Sequence, residues 1–254
     1  MSTPSRSLRR SLRSAAAGVV TFAAVAGCSQ GQVTTLDAGG VQRAILTEND
    51  FPDRDGWTST GISTESPAAV PVAPTALTGA EGMSRPCRQA FTAWTEADRR
   101  RKAGVNNNFT KFDADDLGNA VIVQLAVRSY DEPPAARERL RDVAQACSGT
   151  MTLTPAPRPA PTGDTAGSAT APRAPGAPAN KVTIEPNPVT TPDADGLRIT
   201  MPLDGRPAML VTLVAQRGHN LAQVVALGPA DRDIPALAQR VLDAQAEKLA
   251  QATG

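Results

Sequence analysis

Histidine is almost missing from this chain: His219 is the only one in 254 residues. A histidine-rich metal centre is thereby excluded, and a Ser-His or Cys-His pair would have to be built on that one residue. It falls in Arg217-Gly218-His219, a turn-forming stretch, where it reads as a solvated turn residue rather than a general base. Aromatics make up only 3% of the sequence. Base-stacking platforms and sugar-binding shelves need more, and no basic patch is interleaved with aromatics, so nucleic acid is excluded as a partner. No Gly-x-Ser-x-Gly elbow and no phosphate-cradling Gly-rich loop occurs. Asp131 and Glu132 are adjacent, so a strand or turn splays them apart and they do not form a placed acid–base pair. No catalytic residues, metal ligands or cofactor-binding residues are assigned, and the chain is read as a non-enzyme. Long apolar runs are also absent. The longest, residues 15–26, falls short of the roughly 20 residues that span a bilayer.

What is present begins with that short run. Arg6, Arg9, Arg10 and Arg13 precede it, and small residues follow it, which is the build of a secretory signal. The stretch ends Val25-Ala26-Gly27-Cys28, which resembles the lipobox of bacterial lipoproteins. The resemblance implies cleavage before Cys28, a diacylglycerol on its thiol and an acylated new amino terminus. Residues 1–27 are then a signal peptide, and residues 28–35 a lipidated tether. More than one acyl chain suffices for stable anchoring. The expected location is the outer face of the plasma membrane, with the membrane itself as a partner. Removing the four arginines changes the formal charge from +1 to −3, with 22 basic against 25 acidic residues.

Cys28 being committed to lipid, Cys87 and Cys147 remain, 60 residues apart. In an oxidising compartment an even pair reads as a disulfide, with two free thiols or a metal site as alternatives. A bridge closing such a loop stabilises by roughly 4 kcal/mol on the chain-entropy model. Periodicity supports it. Cys87, Phe91 and Trp94 share one helical stripe, and Ala136, Leu140, Val143 and Cys147 share another. Two cysteines on facing apolar stripes can meet across a helix contact.

The remaining pattern is mixed. Val41, Ala44, Ile45 and Leu46 predict a helix within residues 36–49, stopped by Phe51-Pro52. Residues 62–80 are Pro- and Ala-rich and read as irregular. Arg99-Arg100-Arg101-Lys102 reads as the solvated last turn of the helix that Cys87 opens, where cations complement the dipole; a patch for anionic lipid headgroups is the functional alternative. Residues 106–110 lead into a strand, and Asp113-Ala114-Asp115-Asp116-Leu117-Gly118 is a turn rather than a calcium loop. It lacks the fifth-position oxygen ligand and the distal Glu. Residues 120–128 alternate as a strand. Residues 155–180 hold seven prolines, with alanine as the only other apolar residue, and read as a disordered insertion. Strands are predicted around Val182 and Ile184, over 197–203, 208–215 and 221–227, with Asp204-Gly205 as a hairpin turn. Residues 234–250 form a closing helix. Asn108-Phe109-Thr110 matches a glycosylation sequon, taken as chance in an exported bacterial lipoprotein. The expected fold is α+β, a single antiparallel sheet with helices packed mainly on one face, occupying 36–254 around the insertion.

Residues 46–57, with Asp55-Gly56-Trp57, look like the opening of many actinobacterial secreted lipoproteins; Trp57 is expected to cap the core rather than touch a ligand. Three further stretches carry a broader resemblance. They are 120–130 followed by 135–147, then Gly218-His219-Asn220-Leu221-Ala222-Gln223-Val224-Val225, and the final helix from Ile234. Together they resemble the extracellular sensor domain of actinobacterial PknH-type Ser/Thr kinases and the stand-alone lipoproteins that share it. That resemblance implies an α+β domain braced by two disulfides, with a cleft for a ligand. This chain departs from it in having one cysteine pair and the Pro-rich insertion between its halves. The functional expectation is a non-enzymatic binding or sensing module at the cell envelope, holding a small molecule, a lipid or an envelope protein. An envelope enzyme with an unrecognised site, or a structural or assembly lipoprotein, is the alternative.

Overall fold

The structure is a computed structural model, and it describes residues 34–52, 54–65, 81–113, 116–154, 180–203 and 205–254. The expected signal peptide, Cys28 and all but Asn180 of the expected insertion lie outside the described residues. Within them, nine strands form one sheet, antiparallel at every pairing. The strands are β1 (Trp57–Ser59), β2 (Ser63–Thr64), β3 (Arg101–Asp113), β4 (Asp116–Tyr130), β5 (Gly149–Leu153), β6 (Asn180–Pro186), β7 (Ala194–Leu203), β8 (Arg206–Arg217) and β9 (Asn220–Pro229). Their order across the sheet is β1-β3-β4-β9-β8-β7-β6-β5, with β2 also on β3. Helices are α1 (Ala38–Ala44), α2 (Arg85–Ala97), α3 (Ala136–Ala146) and α4 (Ile234–Thr253).

The helices do not gather on one face. Val211, Leu213 and Ala215 of β8 and Ala222, Val224 and Ala226 of β9 pack with Val41 of α1 and Val241 of α4. Leu210 and Val214 of β8 and Leu221 and Val225 of β9 pack with Phe91 of α2 and Leu140 of α3. Residues alternate between faces along a strand, so β8 and β9 are apolar on both sides and each side needs a cover. The expectation of helices mainly on one face is corrected to a sheet sandwiched between two helix pairs. The cause lies in the sequence: residues 208–215 and 221–227 are apolar runs broken only by Thr212 and Gln223, the pattern of strands buried on both faces.

Cys87 and Cys147 form a disulfide with 4.7 Å between Cα atoms. It ties the start of α2 to the residue capping α3. Trp57 is buried, packing on Phe51, which in turn stacks on Phe109 at 4.1 Å. Its core role is as expected. The β7–β8 hairpin is also as expected: Leu203 pairs Arg206 across a two-residue turn, and Gly205 supplies the positive φ of 78°.

Other expectations shift. The first helix is only seven residues, because Ile45 turns extended and a 3₁₀ turn follows at Glu48–Asp50. Buried polar side chains satisfy the backbone that leaves the helix. Gln245 of α4, fully buried, accepts from the Leu46 N–H at 3.0 Å and donates to the Ala44 carbonyl at 2.6 Å. Asn107 of β3 donates to the Leu46 carbonyl at 3.0 Å. Asp50 accepts from Lys248 and from Thr47, which lowers its pKa to about 2. Ser63–Thr64 is a strand inside the stretch expected to be irregular, and β5 has no counterpart among the expected strands. The expected acidic turn over 113–118 is shorter: Asp113 ends β3 and pairs Asp116, and Asp116, Leu117 and Gly118 already belong to β4, while residues 114 and 115 lie outside the described residues.

Candidate functional site

The basic run does not form one patch. Arg99 and Arg100 close a 3₁₀ turn after α2, but Arg101 and Lys102 already belong to β3. Strand alternation then separates them. Lys102 points out and pairs with Asp131 at 3.5 Å, while Arg101 is buried, its Nε 3.5 Å from Glu65 Oε2. The expected helical last turn is thus corrected, and the headgroup-patch alternative loses two of its four cations.

Glu65 sits over the middle of a buried charge cluster. Arg128 of β4 grips its carboxylate in a fork, Nε donating to Oε2 and Nη2 to Oε1, both at 2.7 Å. The remaining Arg128 nitrogen, Nη1, donates to Gln223 Oε1 on the neighbouring strand β9. Side-chain exposure is 5% for Glu65 and 4% for Arg128, so the pair is desolvated. Such pairs hold only when geometry and supporting hydrogen bonds are good, and the planar guanidinium fork provides both. Gly104 makes the arrangement possible. A Cβ there would stand 2.9 Å from Glu65 Oε2 and 3.1 Å from Arg101 Cδ. The Glu65 N–H also donates to the Gly104 carbonyl at 3.0 Å.

Two residues beyond Arg128, β4 ends at Tyr130, whose register partner is Arg101. Here a cleft of about 600 Å³ opens between the end of α2 and the turn from β4 into α3. Tyr130 lines it together with Pro133 and Pro134, and Ala93 and Ala97 of α2 complete an apolar portion. Arg100 and Arg139 supply cations, and Glu96, Asp131 and Glu132 supply carboxylates. Among the described lining residues there is no His, Cys, Ser or Thr. The cleft thus sets two guanidinium groups and three carboxylates beside a wall of proline and alanine, with Arg139 also paired to Asp142 at 3.0 Å. The buried Glu65–Arg128 pair braces the strand that carries its floor.

Beyond α3 a second, smaller pocket of about 300 Å³ is lined by ion-paired residues, among them Arg137, Arg141 and Asp193. Arg137 bonds Asp195 at 2.6 Å and Asp193 at 3.0 Å, and Arg141 lies 3.2 Å from Asp195. Partial burial pulls the Arg137 pKa down, but the bonds to Asp195 and then Asp193 more than offset it, leaving the pKa raised. These pairs fasten α3 to β7. His219 lies in the β8–β9 turn as expected, with its carbonyl accepting from the Tyr130 N–H at 3.0 Å. Sequence reasoning places Asp131, Glu132 and the arginines but misses that they converge. Glu65, alone in a Pro-rich stretch, carries no periodic signal.

No protein-family model and no curated protein sequence matches the chain. Solved structures do. The extracellular domain of PknH from Mycobacterium tuberculosis superposes with a TM-score of 0.53 over 86% of this chain and 98% of that one, at 12% identity. The two chains share a fold. An uncharacterized Mycobacterium smegmatis protein, the ortholog of Rv0999, aligns over 84% of this chain and 97% of its own at 13% identity, with a TM-score of 0.40. The fold likeness to PknH agrees with the sequence resemblance, and it comes with one disulfide among the described residues. Among those residues, no helix is long and apolar enough to cross a membrane.

Proposed function

We propose that this chain is an exported lipoprotein, anchored through Cys28 at the outer face of the plasma membrane. Its α+β domain acts as a non-enzymatic binding or sensing module. The observation that carries the binding half is the cleft at the end of β4, with its mixed cationic, acidic and apolar lining. Support for the extracytoplasmic half comes from the Val25-Ala26-Gly27-Cys28 stretch and from the fold shared with a kinase extracellular domain. The cleft's lining of both charge signs beside an apolar wall suits a small ligand with a polar or charged group and an apolar body.

The test is native mass spectrometry of the full chain released gently from its host membrane. The wild type is expected to carry an additional small-molecule mass. Ala93→Trp, which fills the cleft from α2, is expected to lose it while keeping the wild-type circular dichroism spectrum. Retention of that mass by Ala93→Trp would move the ligand elsewhere, and a bare wild-type protein counts against the binding reading.

A further inference from the structure

The first described residues clip onto one end of the sheet. Asn220 donates to the Thr34 carbonyl at 2.8 Å, and the Thr34 N–H donates to the Thr253 carbonyl at 3.4 Å. The Leu36 N–H is shared between Ser129 Oγ at 3.0 Å and Asn220 Oδ1 at 3.2 Å. Ser129 and Asn220 are register partners on β4 and β9, and both are fully buried. The chain therefore leaves the domain, toward its amino terminus, where β4 ends, β9 begins and α4 ends. Antiparallel pairing puts the β8–β9 turn, the start of β3 and the β4–α3 turn with its cleft at the same end. The β3–β4 and β7–β8 hairpins lie at the other, exposing Phe112 and Leu203.

Chain length then limits how the domain can stand. Six residue steps lead from Cys28 to Thr34, and fully extended they reach about 20 Å. A flexible chain of that length averages about 13 Å. Strand β8, with 12 residues, runs about 40 Å from one end of the sheet to the other. A lipid on Cys28 thus keeps the clipped end near the headgroups, and the hairpin end cannot take its place.

Resting on the anchoring proposed above, we propose that the end formed by the β4–α3 turn, the β8–β9 turn and the carboxyl end of α4 is the surface that faces the lipid bilayer. The cleft then opens on the membrane-proximal side. Charge attraction is not what sets this orientation. Several cations at this end are matched, Lys102 with Asp131, Arg137 with Asp193 and Asp195, and Arg139 with Asp142, and the tether alone sets the orientation. The orientation is accordingly independent of salt, unlike one held by a basic patch.

The experiment places one fluorophore on the full lipidated chain, at Glu132→Cys near the clipped end or at Leu203→Cys on the far hairpin. Both positions are exposed, and Cys87 and Cys147 are bonded to each other. The protein is reconstituted in vesicles of phosphatidylethanolamine and phosphatidylglycerol carrying an acceptor on the headgroups. Energy transfer from position 132 is expected to exceed that from 203 by about twofold or more, given the ~40 Å between the ends. High salt should leave the difference intact, and inserting roughly 20 Gly-Ser residues between Gly31 and Gln32 should remove it. Equal or reversed transfer in vesicle-bound protein overturns the orientation and leaves the anchoring standing. So does a difference that survives the longer tether. A wild type that does not associate with the vesicles overturns the anchoring, and this orientation with it.

Discussion

Gly104 and Glu65 show how much one position can decide. A Cβ at Gly104 would collide with the carboxylate that joins Arg101 and Arg128. Breaking a buried pair by removing one partner leaves an uncompensated charge, which costs about 3–5 kcal/mol. Glu65→Gln keeps the shape and removes the charge, leaving two guanidinium groups desolvated together. Its expected outcome is a loss in that range, read as a shift of the denaturant midpoint with an unchanged slope. A change below about 0.5 kcal/mol would show that water reaches the cluster and that the pair is only a surface contact. None of this can be read from the sequence. Glu65 pairs with Arg128 across 63 positions, and no local pattern marks a single acid as the partner of a distant arginine.

At the scale of elements, apolar periodicity is the legible signal. The stripes of Cys87-Phe91-Trp94 and Leu140-Val143-Cys147 place two helices and imply their contact, and the bridge is present. Alternation in β4 and β7, and the Asp204-Gly205 turn, give strands and a hairpin. The expected one-sided packing treats β8 and β9 as ordinary alternating strands, although both are apolar on either side. β5 escapes because its exposed threonines at 150 and 152 leave no stripe. The basic run misleads because a helix end and a strand start meet within it. The disulfide lends itself to measurement. Replacing Cys87 and Cys147 together with serine should lower stability by about 2–5 kcal/mol, since both are buried in the core under α2 and α3. A thermal midpoint equal to wild type would mean that helix packing alone fixes that corner.

At the scale of the whole molecule, the end of the sheet onto which Thr34 and Leu36 clip also holds the cleft, and the proposed anchor at Cys28 precedes that end in sequence. Composition by itself argues against a histidine-rich metal centre and a nucleic-acid partner. The convergence of Arg100, Arg139, Glu132 and Tyr130 emerges only from the fold, because it depends on how α2 packs on α3. What the account most depends on is the fate of Cys28. The direct measurement is the mass of the amino-terminal peptide of the mature chain, with membrane and soluble fractions compared for wild type and Cys28→Ala. The account predicts a wild-type peptide that begins at Cys28 with a diacylglyceryl addition, in the membrane fraction, and an unprocessed or soluble Cys28→Ala chain. An unmodified Cys28 in the mature protein, or a Cys28→Ala chain processed and membrane-bound like wild type, would contradict it.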